Sequence, residues 1–320
     1  MNLMSDGAAA WRRRAPAPAG FPIVVLGDIS SATRFSLSND AISYGSPITP
    51  TGLSNPLSDI VAGSGGRIVT SHGSTARYSD DDGASWTTVT HGLPDVFVGK
   101  MVNSSGAIMC SLQSSNGLGR STDNGVTWSN VGASKGSVRV GFSGSFVVSL
   151  SATSQPMHST DNGATWSALG SRLDTTPAAF NPNSARGAAF GSRVAFGGQI
   201  WGGPFGIGGF IPAIAYTVNG DDWFFSRVAD TAGENVVVLS HNGAVGIAII
   251  GNGDTYLTTD FGDTWTASTS GLGTTSTCAI WNGSLFVVGG GSTIKTSPDG
   301  DSFTTRTHPL NDVFDIAVKA

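Results

Sequence analysis

The chain has 320 residues, 17 of them basic and 22 acidic, with a formal net charge of −5. Only 12% of the residues are charged, about half the roughly 25% of an average soluble domain, whereas 45 are glycine. This composition excludes a basic nucleic-acid surface on the folded part. It favours many short strands, and no apolar run is long enough to span a bilayer.

We predict that residues 1–20 form a flexible arm and that residues 21–320 form a single folded domain. The arm holds the only basic run, Arg12-Arg13-Arg14, which Pro-Ala repeats follow. A secretory signal would place an apolar segment there instead. We expect order in the arm to come from a partner, with the three arginines among the binding residues.

An eight-residue motif recurs along the rest of the chain. Full copies are SDDDGASW at 79–86, STDNGVTW at 121–128, STDNGATW at 159–166 and TTDFGDTW at 258–265. Shorter copies are TVNGDDW at 217–223 and SPDGDSF at 297–303, and a degenerate one is SNDAISY at 38–44. The interval is about 40 residues, with one insertion of roughly 18. Because four short strands with tight turns need about that length, the repeat predicts the blades of an all-β propeller.

The motif resembles the Asp box of the sialidase-type and related β-propellers. That resemblance implies that each copy is the hairpin joining the third and fourth strands of a blade. The acidic or amide side chain is then expected to accept hydrogen bonds from its own turn, and the Trp to pack between sheets. A structural role is therefore expected for Asp81, Asp123, Asp161, Asn219, Asp260 and Asp299.

The two ends of the chain predict how the ring closes. Residues 313–320, VFDIAVKA, read as the innermost strand of a blade, whereas the N-terminal blade lacks one strand. Pairing of the C-terminal strand with N-terminal strands would remove two exposed sheet edges. The count is then seven blades, although the weak motif at 38–44 leaves six or eight open.

The insertion predicts a contact surface on the face opposite the motifs. It divides between 171–184 and a glycine-rich loop at 197–212, which carries Trp201, Phe205 and Phe210. These aromatic side chains either pack locally over the mouth of the ring or bind a partner.

Three linkers place an aspartate near the start of an inner strand: Asp59, Asp95 and Asp312. Converging carboxylates could serve acid–base chemistry or bind a cation, and the alternative is that each satisfies N–H groups of its own turn. The five histidines show no metal-ligand spacing and are expected in solvated turns. Cys110 and Cys278 are expected to be buried and free, and we predict neither a metal nor a cofactor.

The residues that the resemblance would require for sialidase activity are missing. An arginine motif in the first blade is absent, and Glu234 is the sole glutamate and adjoins no tyrosine. The four tyrosines lie in or beside the motif hairpins, and Arg139 and Arg186 are the only arginines expected near the mouth. We therefore assign no catalytic residue.

Three functions remain open. The first is a non-catalytic binding or structural propeller, with a bacteriophage virion component of the tail or a fibre favoured by the low charge and the Gly, Ser and Thr content. Its partners would be other protein subunits or a surface glycan, and its location the virion, or otherwise the cytoplasm. The second is a glycan hydrolase using two carboxylates. The third is an intracellular assembly factor resembling photosystem-associated propellers.

Overall fold

The structure is a computed structural model. It describes residues 22–29, 32–51, 53, 57, 59–72, 75–93, 97, 101–104, 106–112, 117–132, 138–151, 156–168, 180–182, 187–202, 206–269, 272–273 and 276–319. Within these ranges the chain is almost entirely β-structure. None of the described helical segments is long and apolar enough to cross a membrane.

Seven antiparallel sheets form the blades of a β-propeller, as predicted. Blade 1 contains β3 (Val61–Ala62), β4 (Ile68–His72), β5 (Thr75–Ser79) and β6 (Thr87–Thr90). Blade 2 contains β7 (Val102–Ser104), β8 (Ala107–Ser111), β9 (Leu118–Ser121) and β10 (Ser129–Asn130). Blade 3 contains β11 (Val138–Ser143), β12 (Phe146–Ser151), β13 (Met157–Ser159) and β14 (Ser167–Ala168).

Blade 4 carries the insertion. It contains β15 (Asn181–Pro182), β16 (Ala188–Phe190), β17 (Arg193–Trp201), β18 (Phe210–Thr217) and β19 (Phe224–Arg227). Two short strands, β15 and β16, share the innermost position of this blade, because both pair with β17. Blade 5 contains β20 (Val236–His241), β21 (Gly246–Ile250), β22 (Thr255–Thr258) and β23 (Thr266–Ala267). Blade 6 contains β24 (Cys278–Trp281), β25 (Phe286–Gly290), β26 (Thr293–Ser297) and β27 (Thr304–Arg306).

The seventh, closing blade joins the two ends of the chain, which confirms the predicted closure. It contains β1 (Ile23–Ile29), β2 (Ala32–Ser38) and β28 (Asp312–Val318). Strand β28 pairs antiparallel with β1, from Ile23 opposite Val318 to Asp28 opposite Asp312. In place of a fourth, outermost strand, an antiparallel β-bridge joins Phe35 of β2 to Ile48.

Apolar side chains fill the spaces between neighbouring blades. Between the closing blade and blade 1, Leu26, Phe35, Ile68 and Trp86 belong to one buried cluster. The Phe35 and Trp86 rings stack with their centroids 5.2 Å apart. Burial of each such side chain stabilises the fold by about 1.5–3 kcal/mol. The motif Trp thus packs between sheets at this position.

The predicted loop at 197–212 is shorter in the structure. Strand β17 continues to Trp201 and β18 begins at Phe210, so only residues 202–209 connect them. The ladder extends because β-branched and aromatic side chains face each other across it, with Ile200 opposite Ile211 and Trp201 opposite Phe210. Of the predicted linker 171–184, residues 171–179, 183 and 184 lie outside the described residues.

Antiparallel order defines two faces of the ring. Turns between the first and second strands lie on the same side as turns between the third and fourth, and we call this side the box face. Connections between the second and third strands, and from blade to blade, lie on the other side, the loop face. The motif turns, which we call the box turns, are at 38–44, 79–86, 121–128, 159–166, 217–223, 258–265 and 297–303.

Candidate functional site

The box turns use their carboxylates to organise the turn itself. In the turn at 159–166, Asp161 Oδ1 accepts hydrogen bonds from Ser159 Oγ at 2.7 Å and from Thr165 N at 2.8 Å. Thr165 Oγ1 donates to Asp161 Oδ2 at 2.6 Å, and Trp166 Nε1 donates to Gly163 O at 2.9 Å. These bonds lower the pKa of Asp161 far below its usual value, with the Thr165 hydroxyl the largest cause. The carboxylate is therefore ionised and already occupied by donors.

The remaining box turns show the same arrangement with small variations. Side-chain and backbone donors of their own turns reach Asp40, Asp81, Asp123, Asn219, Asp260 and Asp299. Partial burial raises the pKa of Asp260, yet bonds from Thr258 and Thr264 outweigh it and bring that pKa to about 2. Even the degenerate turn at 38–44 has this geometry.

In the full-length box turns, the residue after the aspartate also ties neighbouring blades together. It has a positive φ, for example 57° at Asn124 and 59° at Phe261. Asn124 Nδ2 donates to Ser64 Oγ at 2.6 Å, in the inner turn of the preceding blade. Asp82 forms an ion pair in the same way with Lys319, which follows the closing strand. The two shorter turns have glycine at the corresponding position.

The described linker carboxylates, those of Asp59 and Asp312, accept hydrogen bonds from backbone amides. Asp59 is only 3% exposed, and its Oδ2 accepts a hydrogen bond from Met101 N of blade 2 at 2.6 Å. Asp59 thus has a role between blades that the sequence did not predict, because the inner strands approach closely enough for its side chain to bridge two blades. Asp312 does bond its own segment, through Val313 N at 2.9 Å. Asp95 lies outside the described residues.

The structural equivalent of Asp59 is Asp315, which the sequence interpretation missed. Asp315 is completely buried, and its Oδ2 accepts a hydrogen bond from Ile60 N of blade 1 at 3.0 Å. The signal was present in the sequence, since DIVA at 59–62 matches DIAV at 315–318. A Pro-Leu pair precedes both Asp59 and Asp312, at 56–57 and 309–310, and this shared feature made Asp312 look equivalent to Asp59.

Two of the three predicted aromatic residues form an exposed pair on the loop face. Trp201 and Phe210 face each other across the last register position of β17 and β18. Their rings meet edge to face, with centroids 5.6 Å apart, yet Trp201 stays 43% and Phe210 36% exposed. Phe205 and the arm residues Arg12, Arg13 and Arg14 lie outside the described residues. The pair is thus apolar surface held in place by the sheet.

A cavity of about 570 Å³ lies in the central channel, and sequence reasoning did not predict it. Its walls come mainly from the second halves of the inner strands, which places it toward the box face. Phe142, Leu239, Ile280, Trp281 and Val318 make much of the lining apolar. Each blade contributes only a few residues, so no single segment of sequence contains the signal.

Of the residues considered for catalysis, Arg139 is partly buried and Tyr216 is hydrogen-bonded within the fold. Burial lowers the pKa of Arg139 on β11, and Arg186 lies outside the described residues. Tyr216 donates a hydrogen bond to Asp263. Burial is the largest cause that raises the pKa of Tyr216 to about 12, and this hydrogen bond is the second. Among the described residues, no hydrogen bond joins Glu234 to a tyrosine, and no group of three His, Cys, Asp or Glu could hold a metal ion.

The cysteines agree with prediction, and two of the histidines do not. Cys110 and Cys278 are buried, and neither forms a disulfide. His91 is only 7% exposed and packs edge-on against Phe97, with ring centroids 4.6 Å apart, so it is not a solvated turn residue. His241 likewise lies 4.7 Å from the ring of Phe190. The apolar spaces between blades accept these rings because an imidazole offers a flat face for packing.

Comparisons with known proteins place the chain among the β-propellers. No protein-family model and no curated protein sequence matches it. Among solved structures, YCF48 bound to D1 peptide is 14% identical with a TM-score of 0.59, covering 91% of this chain and 93% of that one. YCF48 from Cyanidioschyzon merolae is 14% identical with a TM-score of 0.54, covering 92% and 97%.

A third similar structure is the GH74 xyloglucanase from Xanthomonas campestris. It is 12% identical with a TM-score of 0.57, covering 95% of this chain but 55% of that one, so the chain spans about half of its length. At these identities the likeness extends to the fold alone. The chain is a seven-bladed β-propeller with four-stranded antiparallel blades.

Proposed function

We propose that this protein is a non-catalytic binding propeller and a structural component of a bacteriophage particle, in the tail or a fibre. Its contacts are to other protein subunits or to a surface glycan. The observation that carries the proposal is the exposed pair of Trp201 and Phe210 on the loop face. Aromatic side chains of this kind are enriched at the centres of protein interfaces.

The pair suits binding because it is rigid before a partner arrives. Both residues belong to β17 and β18, and Ile200 and Ile211 anchor the preceding register position in the core. A side chain already fixed by its strand loses little conformational entropy on binding. An exposed aromatic pair on a long strand hairpin therefore provides affinity that a mobile loop would lack.

The carboxylates argue against a glycan hydrolase. Glycosidases of the common type need two carboxyl groups that contact the scissile bond. Asp59 and Asp315 are at most 3% exposed, and each is bonded to the amide of a neighbouring blade. Asp312 is partly buried, and its carboxylate accepts a hydrogen bond from the adjacent amide, Val313 N, at 2.9 Å.

Composition and fold support the particle assignment. The low charge, the glycine content and the single glutamate suit a protein that functions packed among other subunits. The similar propeller YCF48 has been solved bound to D1 peptide, so a ring of this kind accommodates a peptide. We propose further that residues 1–20 form an arm whose Arg12, Arg13 and Arg14 add contacts, and that the box turns make the chain a non-sialidase member of the Asp-box propellers.

The proposal is tested by quantitative mass spectrometry of virus particles purified from the host that carries the gene. The expected result is this chain at a fixed copy number relative to the capsid protein, with antibody labelling at the tail. Absence from intact particles, together with a constant amount in the host fraction, would overturn the particle assignment.

A further inference from the structure

We propose a second binding surface, on the opposite side of the ring from Trp201 and Phe210. It is the box-face end of the central channel, and its occupant is the chain's own N-terminal segment, with Trp11 in the cavity and Arg12, Arg13 and Arg14 over the surrounding turns. This contact goes beyond the proposed function, because it is internal to one chain. It holds the arm on its own ring in the isolated protein, and the proposed contacts of the arm to other subunits would follow its release.

The cavity has the size and lining of a binding site. Its volume of about 570 Å³ lies within the roughly 300–1,000 Å³ of small-molecule sites. Phe142, Ile280, Trp281 and Val318 line it and are only partly buried, so their apolar surface faces the cavity or the solvent at its edge. An aromatic side chain entering the cavity would remove that surface from water.

The face on which the cavity opens is acidic. The box turns carry twelve aspartates on this face: Asp40, Asp80, Asp81, Asp82, Asp123, Asp161, Asp221, Asp222, Asp260, Asp263, Asp299 and Asp301. Described ion pairs provide cations for three of them, Asp80, Asp82 and Asp263. Hydrogen bonds lower the pKa of several others, including Asp161 and Asp260, so they stay charged at neutral pH. An apolar cavity on an acidic face favours a ligand that joins an aromatic group to positive charges.

The N-terminal segment has this chemistry and starts at this face. Trp11 is followed directly by three arginines, the only basic run of the chain. Strand β1 begins at Ile23 opposite Val318, which lines the cavity, and Lys319 N donates to Pro22 O at 2.7 Å. Ten residues lie between Trp11 and Pro22, and the eleven steps from one Cα to the next can span up to about 35 Å, whereas neighbouring strands are only about 5 Å apart. Reach is therefore sufficient.

Tethering favours the chain's own segment over that of a second copy. A short flexible connection gives an effective concentration in the millimolar range. Any segment anchored beside the cavity therefore competes well against the same segment on another molecule. The expected contact is intramolecular and independent of protein concentration, and high salt weakens it because its charged part is exposed.

Fluorine NMR of the full-length protein labelled with 5-fluorotryptophan tests the proposal. The chain has eight tryptophans, and the Trp11→Phe variant identifies the Trp11 signal. We expect that signal away from the free-indole position in the native protein. The change Ala189→Tyr, at an exposed residue of the cavity wall, should move it to the free position. Ala168→Tyr, on the exposed outer strand β14, is the matched control and should leave it in place.

Two further measurements keep the test independent of any one variant. Trypsin should cleave after Arg12 to Arg14 about tenfold faster in Ala189→Tyr than in the native protein, because cleavage follows the undocked population. The Arg12→Ser, Arg13→Ser, Arg14→Ser triple variant, and separately high salt, should both free Trp11. A Trp11 signal at the free position in the native protein would overturn the proposal. So would a displaced signal that returns on dilution, which would mean docking on a second copy.

Discussion

The buried carboxylate of Asp315 accepts a hydrogen bond from the backbone N–H of Ile60, with 3.0 Å between the two heavy atoms. Asp315 lies on the closing strand β28, and Ile60 directly precedes the inner strand of blade 1. The bond therefore joins the C-terminal strand to the next blade at the centre of the ring. Asp59 repeats it between blades 1 and 2, through Met101 N.

We predict that Asp315→Ala lowers the free energy of unfolding by about 1–3 kcal/mol, because a buried amide loses its acceptor. Chemical denaturation measures the change. Asp312→Ala is the matched control three residues earlier, where the carboxylate is only partly buried and bonds the adjacent amide, and it should cost less than about 0.5 kcal/mol. Equal losses of unfolding free energy in the two variants would mean that the bond between blades stabilises the fold no more than the bond of Asp312 to its adjacent amide.

Removal of the closing strand should open the ring. Deletion of residues 313–320 removes most of β28, exposes the edge of β1 and takes Val313 and Ile316 out of a buried apolar cluster. We expect a lower melting temperature and concentration-dependent association, since an unpaired strand edge templates further pairing. Calorimetry and light scattering report these effects. A truncated chain that melts like the full chain would contradict closure through β28.

The box carboxylates should make stability depend on acid. Because the pKa of Asp260 in the fold, about 2, lies below the roughly 3.9 of an unfolded aspartate, its charge stabilises the fold fully above about pH 4. That contribution is lost as the pH falls through 2. The difference in melting temperature between the native protein and Asp260→Asn should therefore be largest at neutral pH and shrink toward pH 2.

Asp230→Asn serves as the control for this pH profile, since the side chain of Asp230 is 62% exposed and forms an exposed ion pair with Arg227. Exposed pairs of this kind contribute little to stability. A gap for Asp260→Asn that stays constant from pH 7 to pH 2 would mean that the carboxylate is not stabilised in the fold.

We predict no turnover of sialosides or of xyloglucan by the purified protein. The inner-strand candidates Asp59 and Asp315 are inaccessible to a glycan, and Arg139 is on the inner strand β11 with its pKa lowered by burial. Fluorogenic sialosides and reducing-sugar release measure both activities. Turnover that disappears in Arg139→Ala or Asp59→Asn, with the fold intact by circular dichroism, would reverse the assignment.

Periodic features were predictable from the sequence, and long-range ones were not. The box turns repeat at about 40 residues, and each contains its own donors and acceptor, so local chemistry was enough to predict about seven blades. The closure through β28 was predicted separately, from the spare strand at the C-terminal end of the chain. Trp201 and Phe210 were also named, because three large aromatics among seven glycines stand out. Their placement in strands was missed, since Gly197 and Gly198 suggested a loop, whereas the ladder through Ile200 and Ile211 extends the sheet.

Contacts between blades escaped prediction for a physical reason. Asp59 meets Met101 only after four strands have folded back, and Asp315 meets Ile60 only when the ring closes. The central cavity likewise takes a few residues from each of several blades. No local pattern encodes such neighbours. The sequence therefore indicated candidate carboxylates, but it could not show that Asp59 and Asp315 each bond to the neighbouring blade.

The most direct test of the account concerns the aromatic pair of the loop face. Trp201→Ser with Phe210→Ser should reduce incorporation into the particle at least tenfold, because central aromatic contacts each contribute about 2 kcal/mol or more. The matched control is Ile42→Ser with Val126→Ser on the box face, at 45% and 36% exposure against 43% and 36% for the pair. Both variants should melt like the native protein. Competition between tagged native and variant chains, read by mass spectrometry of purified particles, should show loss only for the aromatic variant. Incorporation of that variant at the native level would contradict the central claim.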